Sequence, residues 1–404
     1  MFDGFLRVAA ATPDIRVADC NFNGASAAAL VSEAYEQGVS LLVLPELCLT
    51  GYTCSDLFLQ ESLLDGAGKA LLTLTEATRD KNKVVLAGLP LTVNGVLYNV
   101  AAVLHDGDIL GFVPKSYLPT YSEFYEGRHY HSGADIEADV LFNGRTYPFG
   151  TRLLFRCRQM PAFTLGIEIC EDLWVAQPPS ISHALAGATV IANLSASDET
   201  TGKDIYRRSL VSGQSARLVC GYIYADAGEG ESSTDLVFGA HNLICENGSI
   251  LAESERFINQ MIMADMDMSK LISERRRMTT WQPKFDNGYR VIDFDLEMHE
   301  VDLRRFIDPH PFVPDDAMDR TRRCEEILTI QAMGLKKRLA HTHCRHAVVG
   351  ISGGLDSTLA LLVTVRAFDM LDMDRSQIMA VTMPCFGTTD RTYHNACELV
   401  RRLG

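Results

Sequence analysis

The feature that most constrains this chain is an alternation. Short apolar runs are separated by helix-length segments from Phe5 to about Met268. The strand-like runs are 5–11, 40–45, 84–89, 99–104, 163–169, 190–194, 220–225, 242–244 and 258–265, each bounded by Gly, Pro, Asn or Asp. Helical patterns occupy 24–37, 60–81 and 201–218. Such alternation demands a sheet-rich α/β domain whose helices cover the sheet faces. Asp106-Gly107 and Asn247-Gly248 each separate two apolar runs, and pairs of this type accept the positive φ of tight hairpin turns. Antiparallel strands are therefore expected beside parallel ones.

The texture changes after Lys270. Glu274-Arg275-Arg276-Arg277, the charge-dense 293–300 and the Pro-rich 308–314 read as a linker. The expected organisation is a first domain over 1–272, a linker over 273–317 and a second domain over 318–404. The second opens with a helix from Asp315 or Asp316, then a buried strand at 347–351 running into Ser352-Gly353-Gly354-Leu355-Asp356-Ser357 and another helix.

Composition narrows the functional classes. A formal net charge of −15 is the wrong sign for gripping nucleic-acid phosphates, so only a local anion pocket is expected. No stretch approaches the roughly 18 consecutive apolar residues of a membrane span, and no membrane partner is expected. The start does not read as a signal peptide. The eleven cysteines are odd in number and include no C-x-x-C pair, which fits neither a disulfide framework nor a zinc knuckle. A reducing cytoplasm is the expected setting.

Three residues stand at the ends of apolar runs, where α/β proteins hold working side chains rigidly beside an open loop. They are Glu46 in Leu44-Pro45-Glu46-Leu47, Lys115 in Pro114-Lys115-Ser116, and Cys170 in Ile169-Cys170-Glu171-Asp172. Alone, each has a bland reading as a solvated acid, a surface cation or a buried thiol. Together a thiol, a base and a cation have the parts of an acyl-transfer site.

In this order, L-P-E-L-x-L-x-G-Y, P-K-x-x-L-P and I-C-E-D-x-W resemble the carbon–nitrogen hydrolase (nitrilase) superfamily over about residues 5–268. The resemblance implies an α-β-β-α sandwich and a Glu46-Lys115-Cys170 triad. The segment 115–126 is similar to a lid of the glutamine-using branch. That similarity implies Tyr121 on the substrate and Glu123 as an orienting carboxylate, with Glu126 the alternative. It also implies glutamine contacts from Tyr52, Glu171, Trp174, Ser197 and Lys203. Lys203 stands where family members often carry Arg, and it cannot make the same bidentate fork.

The strand–Gly-Gly–helix segment is a pyrophosphate cradle by its physics, with backbone amides and a helix dipole facing an anion. It is neither a Walker A loop nor G-x-G-x-x-G. S-G-G-x-D-S resembles the PP-loop of the ATP pyrophosphatase superfamily. The resemblance implies ATP contacts from Gly350, Ile351, Ser352, Gly353, Gly354, Leu355, Asp356 and Ser357, with Asp356 toward Mg²⁺. Residues 383–392 look like the segment after the second strand of NAD synthetases. An amide hydrolase ahead of a PP-loop is the layout of the glutamine-dependent NAD synthetase family. That layout implies L-glutamine, ATP and deamido-NAD as substrates, and a homo-oligomer with an intersubunit ammonia tunnel. Only 47 residues follow Ser357, fewer than a doubly wound nucleotide domain needs, so an incomplete second domain is expected, as a fragment or a truncation. An autonomous amidase with a vestigial PP-loop is the alternative.

Overall fold

The computed structural model describes residues 4–233, 235–284, 288–384, 386 and 389–404, and the chain divides into two compact units, 1–305 and 306–404. The first unit is built on two sheets. One has eight strands in the spatial order Met261–Asp267, Phe5–Ala11, Leu41–Val43, Val84–Val93, Val96–His105, Asp108–Pro114, Arg145–Gly150 and Glu137–Phe142. The other has seven, in the order Ser249–Glu253, Leu243–Glu246, Gly221–Asp226, Val190–Ser195, Thr164–Ile169, Leu153–Cys157 and Arg290–Phe294.

The central strands alternate their side chains between two apolar environments, so nearly every position in Phe5–Ala11, Leu41–Val43, Thr164–Ile169, Val190–Ser195 and Gly221–Asp226 is buried. Leu6, Val8, Leu41, Val43, Ile167, Ile169, Val190, Ala192, Leu194 and Ile223 meet between the sheets. On the outer face of the eight-stranded sheet, Ala27, Val31 and Ala34 of helix Cys20–Glu36 and Leu63, Ala67, Leu71 and Leu74 of helix Glu61–Ala77 cover Ala9, Leu42 and Val85. On the other outer face, Ala184 of helix Pro179–Ala186 and Val211 and Leu218 of helix Lys203–Leu218 cover Ile191, Tyr222 and Leu243. The result is the expected α-β-β-α sandwich.

Both expected hairpins form, with φ of 46° and 75° at Asp106 and Gly107 and 45° and 87° at Asn247 and Gly248. The same turn occurs at Asn94-Gly95 and Asn143-Gly144, where it closes the hairpins 84–105 and 137–150.

Much of the expected linker 273–317 belongs to the first unit. Helix Met268–Arg277 continues through the Arg run, and Arg275 donates to the carbonyls of Val219, Ala188 and Leu218. Arg290–Phe294 adds a parallel strand beside Leu153–Cys157. Arg305 pairs with the buried Glu246. Arg275 and Arg305 thus satisfy buried carbonyls and a buried carboxylate, while Arg277 and Arg290 make exposed ion pairs.

In the second unit, Asp316 caps helix Ala317–Thr342 by accepting from the Asp319 N–H. Strand Ala347–Gly350, helix Leu355–Asp369 and the parallel strand Ile378–Val381 form a βαβ unit, followed by helix Asp390–Leu403. Ala332, Leu339, Val363, Ala367 and Phe368 form its main apolar cluster, beside a smaller one of Ile351, Leu361, Val365 and Ala396. Of the segment 383–392, Cys385, Gly387 and Thr388 lie outside the described residues.

Candidate active site

Three chain segments bring the triad together at strand ends of the first unit. Glu46 follows strand Leu41–Val43, and its loop lies directly on the neighbouring strand at Gly88. A Cβ there would stand 2.2 Å from the Leu47 nitrogen and 2.8 Å from the Glu46 Cα, so only glycine permits the approach. Lys115 follows strand Asp108–Pro114, and its N–H donates to the Asn99 carbonyl at 2.9 Å. Cys170 closes strand Thr164–Ile169 at φ 43°, a left-handed conformation that strains a residue carrying a Cβ.

The side chains form one buried network. The Lys115 ammonium donates to Glu46 Oε1 at 2.7 Å and to Glu126 Oε1 at 2.6 Å. Asn99 Nδ2 donates to the same Glu46 oxygen at 2.6 Å, and the Ala196 N–H donates to Glu46 Oε2 at 3.0 Å. The Tyr52 hydroxyl donates to Glu126 Oε1 at 2.9 Å. Asp172 accepts the N–H groups of Ile169, Ser116 and Tyr117, which ties the Cys170 turn to the Lys115 loop.

Burial sets the protonation states. It pushes the Cys170 thiol well above its usual range, with Glu46 and Glu126 adding to the shift and Lys115 and the Ser195 hydroxyl opposing it. The resting group is a neutral thiol. Burial also opposes the charge on Lys115, but Glu126 and Glu46 outweigh it and keep the ammonium charged. Burial lifts the Glu126 carboxyl to about 7 against the pull of Lys115. A neutral thiol needs a base to become a nucleophile, and Glu46 and Glu126, both held on Lys115, are the carboxyl groups whose charge reaches it.

Glu126, not the expected Glu123, is therefore the carboxylate that joins Glu46 on Lys115. Its N–H bonds to the Pro119 carbonyl at the start of the turn Glu126–Arg128, and the side chain points inward to Lys115. Glu123 is half-buried and lines a cavity of about 400 Å³ with Tyr52, Tyr125, Glu126 and Tyr130, without touching the triad. Counting residues from the Tyr of the lid could not separate two acids three apart.

The expected substrate residues divide. Tyr121 donates its exposed hydroxyl to Glu171 Oε1 at 2.8 Å. The Lys203 ammonium lies 5.4 Å from the Trp174 ring centre and 5.8 Å from that of Phe124, and pairs with Asp198. Tyr121, Glu171, Trp174, Lys203 and Phe124 form one connected cluster. Tyr52 does not join them, because its hydroxyl is turned to Glu126. Ser197 is buried, with its N–H on Asp226 and its hydroxyl accepting from Arg207. Asn99, Asp172 and Arg207 were not anticipated. Asn99 had a signal, since a polar residue in an otherwise apolar strand must find a partner.

In the second unit, the Gly-rich loop runs from strand Ala347–Gly350 into helix Leu355–Asp369. Gly353 has φ 83°, and a Cβ there would stand 2.0 Å from the Thr392 carbonyl oxygen. The hydroxyls of Ser352 and Ser357 lie 3.1 Å apart, and the Gly354 N–H donates to the Ser352 hydroxyl at 3.3 Å. Two exposed hydroxyls and a helix start fit a polyphosphate. Asp356, in the first helical turn, is the carboxylate of the loop. A lone carboxylate suits Mg²⁺ carried largely by substrate phosphates and water.

The carbon-nitrogen hydrolase family model matches residues 7–276. The chain belongs to that family. The NAD synthase model matches residues 327–404 of the chain beyond the hydrolase unit. The glutamine-dependent NAD(+) synthetase of Mycobacterium tuberculosis H37Rv is 44% identical over 99% of this chain and 60% of its own length. That of Thermotoga maritima is 28% identical over 99% and 64%. The chain thus spans about 60% of the length of the curated relatives it matches. The crystal structure of a glutamine-dependent NAD(+) synthetase from Cytophaga hutchinsonii superimposes with a TM-score of 0.59, at 23% identity over 99% of this chain and 64% of that one. The hydrolase fold also matches an amidase from Nesterenkonia sp. AN1, with a TM-score of 0.52 at 20% identity over 68% of this chain and 96% of that one. No helix among the described residues is long and apolar enough to cross a membrane.

Proposed function

We propose that this chain supplies the glutaminase and part of the ATP site of a glutamine-dependent NAD⁺ synthetase. The observation that carries the reading is the buried Lys115 bridging Glu46 and Glu126 beside a strained Cys170, in a chain that also holds a strand–Gly-Gly–helix cradle. The 44% identity to synthetases over nearly the whole chain supports it. The match of a second family model over 327–404 disfavours the autonomous amidase.

In this reading Glu46 takes the thiol proton as Cys170 Sγ bonds to the side-chain carbonyl carbon of glutamine. Lys115 faces the oxygen that gains negative charge, and removing such a donor costs about 10²–10³-fold in rate. The C–N bond breaks, the departing nitrogen takes the proton from Glu46, and ammonia leaves. Glu46 then draws a proton from water, which attacks the thioester and releases glutamate and the thiol. Tyr121, Glu171, Trp174 and Lys203 hold the amino-acid end of glutamine. Because Lys203 already pairs with Asp198, its contact with the substrate carboxylate competes with that bond.

At the second site, Ser352, Ser357 and the backbone of Gly353 and Gly354 would hold ATP phosphates and Asp356 would be the residue to hold Mg²⁺, with Gly350, Ile351 and Leu355 framing the loop. ATP supplies the activation of the deamido-NAD carboxylate, and ammonia displaces AMP to give NAD⁺. At neutral pH free ammonia is largely protonated and not nucleophilic, which favours a shielded intersubunit path in a homo-oligomer in the cytoplasm.

The test is glutamate release from L-glutamine, and NAD⁺ formation from deamido-NAD, ATP and Mg²⁺, by the full-length protein. Cys170→Ala is expected to abolish glutamate release while ammonium chloride still supports NAD⁺ formation. Glutamate release that survives Cys170→Ala overturns the reading.

A further inference from the structure

We infer that Glu168, Tyr222 and Asn193 form a one-way hydrogen-bond relay that holds the backbone of Cys170 in its left-handed conformation, which makes all three positioning residues for the nucleophile. The inference rests on Cys170 being that nucleophile.

A residue with a Cβ at φ 43° stays there only if its surroundings hold it, because such backbone is sterically unfavourable for any side chain. Two side chains hold it. Asp172 Oδ2 takes the N–H of Ile169 at 3.0 Å, and Asn193 Oδ1 takes the N–H of Cys170 itself at 3.1 Å. Asn193 is fully buried on strand Val190–Ser195, in register with Glu168 on the adjacent parallel strand.

A buried amide can present either its oxygen or its NH₂, and only the oxygen satisfies the Cys170 N–H. The choice is made two residues away. Ser180 N–H, which can only donate, occupies Glu168 Oε2 at 2.8 Å, and the Tyr222 hydroxyl gives its proton to Glu168 Oε1. With its proton spent, the Tyr222 oxygen offers only lone pairs. Asn193 must turn its NH₂ toward it, at 3.3 Å, and the carbonyl oxygen is left facing Cys170. Glu168, Asn193 and Tyr222 are each at most 1% exposed, so water cannot substitute for a missing link. The bonds of the three residues go to one another, to the Ser180 N–H and to the Cys170 N–H, not to the thiol or to Tyr121, Glu171, Trp174 or Lys203. The relay sits on the helix-covered face of the seven-stranded sheet, where Tyr222 packs among Ile191, Ala184 and Val211.

The test compares Glu168→Gln and Tyr222→Phe with the unaltered protein, with Cys170→Ala alongside. The amide introduced by Glu168→Gln can donate to Tyr222, turn its proton toward Asn193 and reverse the Asn193 amide. Tyr222→Phe removes the link while keeping the ring. The readouts are kcat and KM for glutamine hydrolysis, the melting temperature, and the rate at which iodoacetamide labels Cys170, followed by peptide mass. The expected result in both variants is a fall in kcat of about 10²-fold, the scale of a misplaced reacting atom, with KM little changed and slower labelling of Cys170 in protein that still melts cooperatively. If Glu168→Gln does not fold, Tyr222→Phe decides by the same readouts. Unchanged kcat and labelling in a folded Tyr222→Phe protein overturns the relay, as does a rise in KM with kcat kept. Glutamate release surviving in Cys170→Ala overturns the underlying reading of Cys170 instead.

Discussion

The Lys115 ammonium lies 2.6 Å from Glu126 Oε1, and both side chains are shut away from solvent. With Glu46 at 2.7 Å on the other side, one cation serves two carboxylates, and burial lifts the Glu126 carboxyl to about 7 from an ordinary 4.5. The folded state therefore favours protonated Glu126 more than the unfolded state does. The stability this contributes is complete below about pH 4.5 and is lost as pH rises through about 7. Glu126→Gln is expected to remove that loss. Denaturant unfolding between pH 5 and 8 should show the unaltered protein declining more steeply than the variant, and parallel curves would contradict the assignment.

Lys115→Met tests the same cluster from its centre. Removing one partner of a buried ion pair leaves charge uncompensated and costs about 3–5 kcal/mol. Here two carboxylates are left facing each other. Lys115→Met combined with Glu126→Gln is expected to recover part of that loss in urea unfolding while the proposed glutaminase activity stays absent, because the cation proposed to face the oxyanion is still missing. Strict additivity would mean that the two side chains do not interact.

How far the site was legible in the sequence follows from which signals are local. Glu46, Lys115 and Cys170 each sit at the end of an apolar run, so their placement at strand ends could be read directly. Asn94-Gly95 and Asn143-Gly144 carry the same turn signal as the two hairpins that were read, yet the strands around Asn143 are half-exposed and lack a clean apolar run. Strand Arg290–Phe294 was hidden by its charges, with Arg290 and Asp293 paired to Asp139 and Arg156 at the sheet edge. Spacing favours Glu123 over Glu126 as the orienting carboxylate. The inward turn that selects Glu126 depends on the Pro119 carbonyl, a contact that spacing does not encode. The role of Asn193 is likewise non-local, since its amide is oriented by Tyr222 and Glu168 from two neighbouring strands.

Gly88→Ala probes how closely the Glu46 loop is seated. The added methyl would stand 2.2 Å from the Leu47 nitrogen, a backbone atom that cannot swing aside. Overpacking of this kind costs about 1–3 kcal/mol, and the loop that shifts carries Glu46, the proposed general base. The expected outcome is a modest drop in melting temperature with a disproportionate loss of kcat, of about 10²-fold. A variant that loses stability and keeps kcat would show that the loop relaxes without moving Glu46.

Gly353 and Gly354 are adjacent and should respond differently to alanine. Gly353 has φ 83° and no room for a Cβ against the Thr392 carbonyl, whereas Gly354 has φ −85° and meets only the Ser352 hydroxyl at 3.4 Å. Gly353→Ala forces both a left-handed alanine, costing about 1 kcal/mol or more, and a displacement of the segment that precedes helix Leu355–Asp369. Gly354→Ala asks for neither. If the loop cradles phosphates through its backbone, Gly353→Ala is expected to weaken ATP binding in the full-length protein far more than Gly354→Ala does, measured by titration calorimetry with Mg²⁺ present. Glutamate release, proposed for the first unit, should remain measurable in both. Equal losses of ATP affinity would mean that the two positions act by crowding the nucleotide, and that the backbone conformation of Gly353 is not what the phosphates recognise.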